Sequence, residues 1–156
     1  MMARVLGINH IGLAPKDSAK ARWFFEKALG LTVLGEQLVK DQSTVTLMIR
    51  STTIDRTTLE PRLEVLTPEG GTAGPIAKFL EKKGSGLHHL ALNVEGLEGM
   101  IAHLLSLGVK MIDEKPRPGA HHTQIAFVHP EATGGLLIEL VEESTKRGDS
   151  DDTVPR

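Results

Sequence analysis

The chain contains no cysteine. That absence excludes disulfides, thiolate zinc sites and cysteine nucleophiles together, so any bound metal has to be held by histidine and carboxylate. Aromatic side chains make up only 3% of residues, and the formal net charge is −2 with a pI near 6.4. Few platforms for base stacking and no excess of positive charge leave a nucleic-acid partner without support. No run approaches the ~20 apolar residues that span a bilayer, and "MMARVLGINH" holds no apolar stretch of signal-peptide length, so a cytoplasmic, globular protein is expected. What is present is 40% apolar residues in a chain of 156. That is enough to bury the core of one domain, or of two small halves sharing a core.

Periodicity divides the chain into alternating elements. "VLGINHIGLAP" reads as a strand, and "KDSAKARWFFEKALG" as a helix capped by Asp17 or Ser18 and closed by Gly30. Its apolar positions Ala21, Phe24, Phe25 and Ala28 keep helical spacing. "LTVLGEQLV", "STVTLMIR" and "RLEVL" are three short strands separated by polar or Gly/Pro-containing stretches. "GTAGPIAKFLEKKG" is a helical connector with Pro75 near its first turn. The order then restarts with strand "GLHHLALNV", helix "EGLEGMIAHLLSLG" and strands around "VKMID", "HHTQIAFVH" and "GGLLIELVE". These segments predict an α+β chain of two tandem βαβββ modules in a single domain over residues 5–142. Module one covers about 5–68, the connector about 69–85 and module two about 86–142. The polar tail 144–156 is expected to be disordered.

Laid on each other, "NHIGLAPKDSAKARWFFEKALGLTVL" and "HHLALNVEGLEGMIAHLLSLGVKMI" match with a gap of one residue. His10 falls on His89, and "RLEVL" on "LIELV" aligns Glu64 with Glu139. The two halves read as one unit used twice. Strand alternation puts each of these four polar side chains on the face away from its apolar neighbours. In "GLHHLALNV" the same rule sends His88 with Leu90, Leu92 and Val94 toward the core, and His89 with Ala91 and Asn93 toward a cleft. A lone carboxylate or imidazole aimed into a sheet face costs several kcal/mol in desolvation, and a divalent cation offsets four at once. His103 lies on the second helix and reads as surface or core edge. His121 and His122 follow "KPRPGA" at a loop-to-strand transition, where a substrate mouth is expected because functional groups gather in loops on a rigid scaffold.

The paired modules resemble the vicinal oxygen chelate superfamily. Within it, "INHIGLAP…FFEKALGL", "RLEVLTP…GPIAKFLEKKGSGLHHLALNV" and "GAHHTQIAFVHP…GGLLIELVE" resemble the methylmalonyl-CoA epimerase family over nearly the whole chain. The resemblance implies a curved mixed sheet around a metal-binding cleft, with His10, Glu64, His89 and Glu139 as ligands of one divalent metal. His88 is then no ligand. Cobalt or manganese is the first expectation, and zinc or nickel suits the same imidazole and carboxylate donors. It also implies a CoA thioester substrate, a homodimer, and Glu139 as a base that removes the substrate's α-proton. Some members carry a second glutamate in the third strand of module one; here Thr46 stands there, and threonine is no general base near neutral pH. Thr46, His121 and His122 are the candidates for substrate contact. Lactoylglutathione lyase chemistry of the glyoxalase I type, and a non-catalytic ligand-binding protein of the same fold, are the alternatives. An extradiol dioxygenase wants two histidines and one carboxylate, and the fourth group, Glu64, argues against it.

Overall fold

The structure, a computed structural model, describes residues 3–51, 61–71 and 74–143. The tail expected to be disordered lies outside the described residues. Among the described residues, eight strands form one mixed sheet. In chain order they are β1 (Arg4–Ala14), β2 (Thr32–Val39), β3 (Thr44–Arg50), β4 (Arg62–Pro68), β5 (Gly86–Glu95), β6 (Arg117–Pro118), β7 (Gln124–Val128) and β8 (Ile138–Glu142). Their order across the sheet is β2-β3-β4-β1-β5-β8-β7-β6. β1 runs parallel to β4, β5 runs parallel to β8, and β1 and β5 pair antiparallel where the modules meet. The half-repeat is therefore a sheet symmetry. Each module places its first strand at the centre and its last strand beside it.

Among the described residues, three α-helices cover the sheet. The first, α1 (Ser18–Trp23), is capped by Asp17, whose carboxylate accepts from the Lys20 amide at 2.9 Å, and it continues as a π-wound turn over Phe24–Ala28. Ala21 and Phe25 pack on Leu47, Ile49 and Val65. The connector helix α2 (Gly74–Lys83) buries Ile76 against Ala14 and Leu66, with Phe79 and Leu80 beside it. The third, α3 (Leu97–Ser106), follows Gly96, whose φ of 77° is a left-handed value that glycine adopts without strain. It buries Leu97, Met100 and Ile101 on Val94, Ala126, Val128 and Leu140. None of the described helices is long and apolar enough to cross a membrane.

Alternation decides what is left for the other face. On β4, Val65 goes to the α1 side, so Glu64 points into the curl; on β8, Leu140 goes to the α3 side, so Glu139 does the same. The second strand expected in module two differs from expectation. "VKMID" makes only a single bridge, Met111 to Val128, because the amides of Ile112 and Asp113 both turn to the Phe127 carbonyl. The regular edge pairing comes later, at Arg117–Pro118, and is two residues long. Prolines 116 and 118 cannot donate to a ladder, which keeps this edge short.

Candidate metal centre

Two rows of residues cross the middle of the sheet. In one, Gly12 of β1 pairs with Glu64 of β4 on one side and His89 of β5 on the other. In the second, Ala91 of β5 pairs with His10 of β1 and Glu139 of β8. Each row is a polar side chain, a small residue and a polar side chain, and the small residues hold matching positions in the repeat. The smallness is required. A Cβ on Gly12 would lie 2.3, 2.4 and 2.9 Å from Cε1, Nδ1 and Nε2 of the His89 ring.

The four side chains meet. The Nε2 atoms of His10 and His89 are 3.0 Å apart. Oε2 of Glu64 is 3.3 Å from each of them, and Oε2 of Glu139 is 3.2 Å from that of His10 and 3.1 Å from that of His89. All four residues are buried. The ligand atoms of His10, Glu64 and His89 all lie within 4.8 Å of one another, so these residues could hold a metal ion. Donor atoms about 2.1 Å from a common centre are separated by roughly 3.0 Å at octahedral and 3.4 Å at tetrahedral angles. The contacts among His10, Glu64 and His89, 3.0–3.3 Å, fit that range, and Glu139 brings an oxygen 3.1–3.2 Å from both imidazoles.

Without a cation the cluster holds protons instead. Burial opposes the imidazolium of His89, but hydrogen bonds to Glu139 and Glu64 outweigh it and raise the group to about 9. His10 is raised in the same way against the same opposing burial. Burial likewise opposes the charged forms of Glu64 and Glu139, yet their hydrogen bonds to the two imidazoles hold both below the ordinary carboxylate value. A raised histidine contributes stability that is complete below its unfolded value of 6.5 and is lost as pH rises through about 9. The lowered carboxylates contribute stability present above 4.5 and lost in acid. Neutral, buried His88 contributes stability that is lost as pH falls below 6.5, so the metal-free protein is expected to melt highest near pH 6.5. By pH 9 it should lose about 3 kcal/mol from His89, roughly 5–10 °C in Tm for a chain of this size. Calorimetry of chelator-treated protein checks this, and a Tm that climbs from pH 6.5 to 9 would contradict it. Cation uptake displaces these protons, so affinity should increase over the same interval.

The other sequence candidates separate. Thr46 is buried on β3 facing the curl, and its hydroxyl donates to the Gln37 carbonyl at 3.3 Å. It lines a cavity of about 30 Å³ together with Glu64, His88, His89 and Glu139. His121 lines a second cavity of about 30 Å³, on the side of Asn9, His10 and Arg62. Its backbone is left-handed at φ 55°, and its amide donates to Oε1 of Gln37 at 2.8 Å, which reaches across from β2. Burial lowers the His121 imidazole below its usual value. His122, exposed like His121, lines neither cavity. His103 is exposed on α3. A larger open groove of about 640 Å³, between α1 and the ends of β1 and β5, has none of the four central groups in its lining.

His88 departs from strict alternation. Its Nδ1 lies 3.0 Å from Nδ1 of His89, and its ring stands edge-on to Phe79 at 5.0 Å. Burial, then the charge of His89, lower it to about 4, so it is neutral near pH 7. Sequence reasoning also missed Asn9, whose Oδ1 is 2.7 Å from Nδ1 of His10, and Arg62, whose Nη2 donates to that oxygen at 3.0 Å. A signal for Asn9 was available, since it falls on His88 in the repeat.

A cup of two βαβββ modules with a buried centre of two histidines and two glutamates where they join defines a class of protein. Residues 9–127 match the profile of the glyoxalase/bleomycin resistance protein/dioxygenase superfamily, and the chain belongs to it. It is 36% identical over 135 residues to the uncharacterized protein YqjC of Bacillus subtilis (strain 168), covering 86% of this chain and 91% of that one. It is 32% identical over 134 residues to the mitochondrial methylmalonyl-CoA epimerase of Bos taurus, covering 85% and 72%. The crystal structure of methylmalonyl-CoA epimerase from Mycobacterium tuberculosis superposes with a TM-score of 0.82 at 32% identity over 91% of each chain. Within the superfamily, the chain belongs to the methylmalonyl-CoA epimerase family.

Proposed function

We propose that the protein interconverts (2R)- and (2S)-methylmalonyl-CoA, using a divalent cation held by His10, Glu64, His89 and Glu139. The observation that supports this best is that two buried carboxylates each lie 3.1–3.3 Å from both Nε2 atoms of a buried imidazole pair, in a member of that enzyme family. When bound, the cation supplies positive charge for the thioester and carboxylate oxygens that become more negative as the α-proton leaves. The chain's own groups do the rest. Glu139 is already ionised near neutral pH, because hydrogen bonds from both imidazoles outweigh its burial. It therefore stands ready to take the α-proton on its side. Glu64, at the other side of the histidine pair, completes the charge balance of the site. Buried Ala91, Ile125, Phe127 and Val141 exclude water around it, which strengthens each of these interactions.

Return of the proton on the opposite face needs a second carrier, and Thr46 is not one. Of the two further histidines among the described residues lining the cavities, His88 is held neutral against His89, which leaves His121. His121 is assigned this role, working against a lowered basicity. Exchange and inversion should then separate. In deuterated buffer with cobalt or manganese, deuterium is expected to enter one isomer of methylmalonyl-CoA faster than that isomer is inverted. Equal rates would remove the argument from Thr46. Activity only on the glutathione–methylglyoxal adduct, assayed on the same preparation, would replace the epimerase reading with the lyase. Absence of metal and of both activities would favour the non-catalytic alternative. The homodimer and the cytoplasmic location belong to the same proposal, and light scattering of the purified protein tests the former.

A further inference from the structure

The two histidine-bearing strands carry the same irregularity beside the centre. Along the β1–β5 ladder, Ile8 pairs with Leu92 and His10 with Ala91, which leaves Asn9 as an extra residue on β1. Further on, Gly12 pairs with His89 and Leu13 with Leu87, which leaves His88 as an extra residue on β5. A bulge breaks alternation and re-aims a side chain. Here it turns the residue before each histidine toward that histidine's Nδ1, at 2.7 Å for Asn9 Oδ1 and 3.0 Å for His88 Nδ1.

Asn9 has no freedom in what it offers. Its Nδ2 donates to Oδ1 of Asn93 at 2.6 Å and to Oε1 of Glu143 at 2.9 Å. Arg62 donates to Oδ1 and also to the Glu143 carboxylate, so the amide is held from both ends. Only an acceptor faces His10, and His10 must therefore carry its hydrogen on Nδ1. The Nε2 lone pair is left for the centre. His89 reaches the same arrangement by donating its Nδ1–H to Nδ1 of His88, whose ring is packed edge-on to Phe79 of α2. A metal-bound histidine whose other nitrogen is engaged in this way is fixed in tautomer and ring orientation.

We propose that Asn9 and His88 are the paired positioning residues of the metal centre, each set by a β-bulge to orient one ligand histidine. This rests on the metal reading above. The test is zinc titration calorimetry together with imidazole 15N spectra of zinc-loaded protein. Asn9→Leu and His88→Phe keep bulk but remove the acceptor, and each is expected to weaken zinc binding roughly 10–100-fold. Asn9→Asp and His88→Asn restore an acceptor and should recover most of that loss. Spectra of the parent should show both ligand rings bound through Nε2 with a hydrogen on Nδ1. In each acceptor-less variant only the neighbouring ring should lose its protected Nδ1–H signal, a reciprocity that general loosening of the fold does not produce. Variants that fail to fold leave the parent spectrum to decide. Coordination through Nδ1 in the parent, or zinc binding within threefold of the parent in both Asn9→Leu and His88→Phe, would overturn the inference. A parent that binds no zinc, cobalt or manganese would overturn the metal reading itself.

Discussion

Glu139→Gln is expected to keep its metal and lose α-proton exchange by about a hundredfold to ten-thousandfold, the usual contribution of a positioned general base. Glutamine still presents an oxygen where Oε2 of Glu139 now lies, 3.1–3.2 Å from the two imidazole Nε2 atoms. It has no basic electron pair that can take up the proton. The neutral amide also removes one of two carboxylates that hold the metal-free imidazoles protonated, so part of any loss in metal affinity should be regained by competing less with protons. Metal content by elemental analysis and deuterium incorporation into each isomer by mass spectrometry make the comparison on one sample. A variant that keeps its metal and exchanges both isomers at the parent rate would reduce Glu139 to a ligand alone.

Gly12→Ala is expected to weaken metal binding by about a hundredfold or more. The added methyl would stand 2.3–2.9 Å from three atoms of the His89 ring, a distance at which the ring has to leave its place over β1. Losing one of four ligands forfeits about a quarter of the roughly 10–16 kcal/mol that such a site draws from its cation, about 3 kcal/mol or more. The metal-free fold should suffer less, by about 1–3 kcal/mol of overpacking, because the ring can swing toward the cavity beside Thr46. Ala91→Gly is the control at the matching position of the second row and should leave affinity near that of the parent. Calorimetric titration and thermal melting of the two variants test the claim. Parent-like affinity in Gly12→Ala would mean that His89 does not reach the centre across Gly12.

How much of this was legible in advance differs from residue to residue. His10, Glu64, His89 and Glu139 could be named together because duplication repeats a residue type at the same place in two strands, and alternation then separates it from its apolar neighbours. The βαβββ order was legible for the same reason, since hydrophobic period and turn residues are local properties. "VKMID" misled as a strand because its apolar residues carry the right pattern, while hydrogen bonding of two amides to one carbonyl of β7 is not written in that pattern. His122 looked equivalent to His121, yet only His121 turns into the curl, and its contact there is with Gln37, 84 residues earlier.

The amino-acid sequence by itself determined that a cysteine-free chain would use imidazole and carboxylate, that it would do so twice over, and which four side chains would face one way. Tertiary structure alone decided that Gly12 must yield its space to His89, that Arg62 and Glu143 would clamp Asn9, and that His88 would reach His89 while its ring stands against Phe79. The physical reason lies in the β1–β5 ladder. It joins residues such as His10 and His89 that are 79 positions apart, and its bulges arise from how two twisted strands come into register. Alternation read from one strand assumes an unbroken ladder, and here the ladder breaks at the residues beside the two histidines.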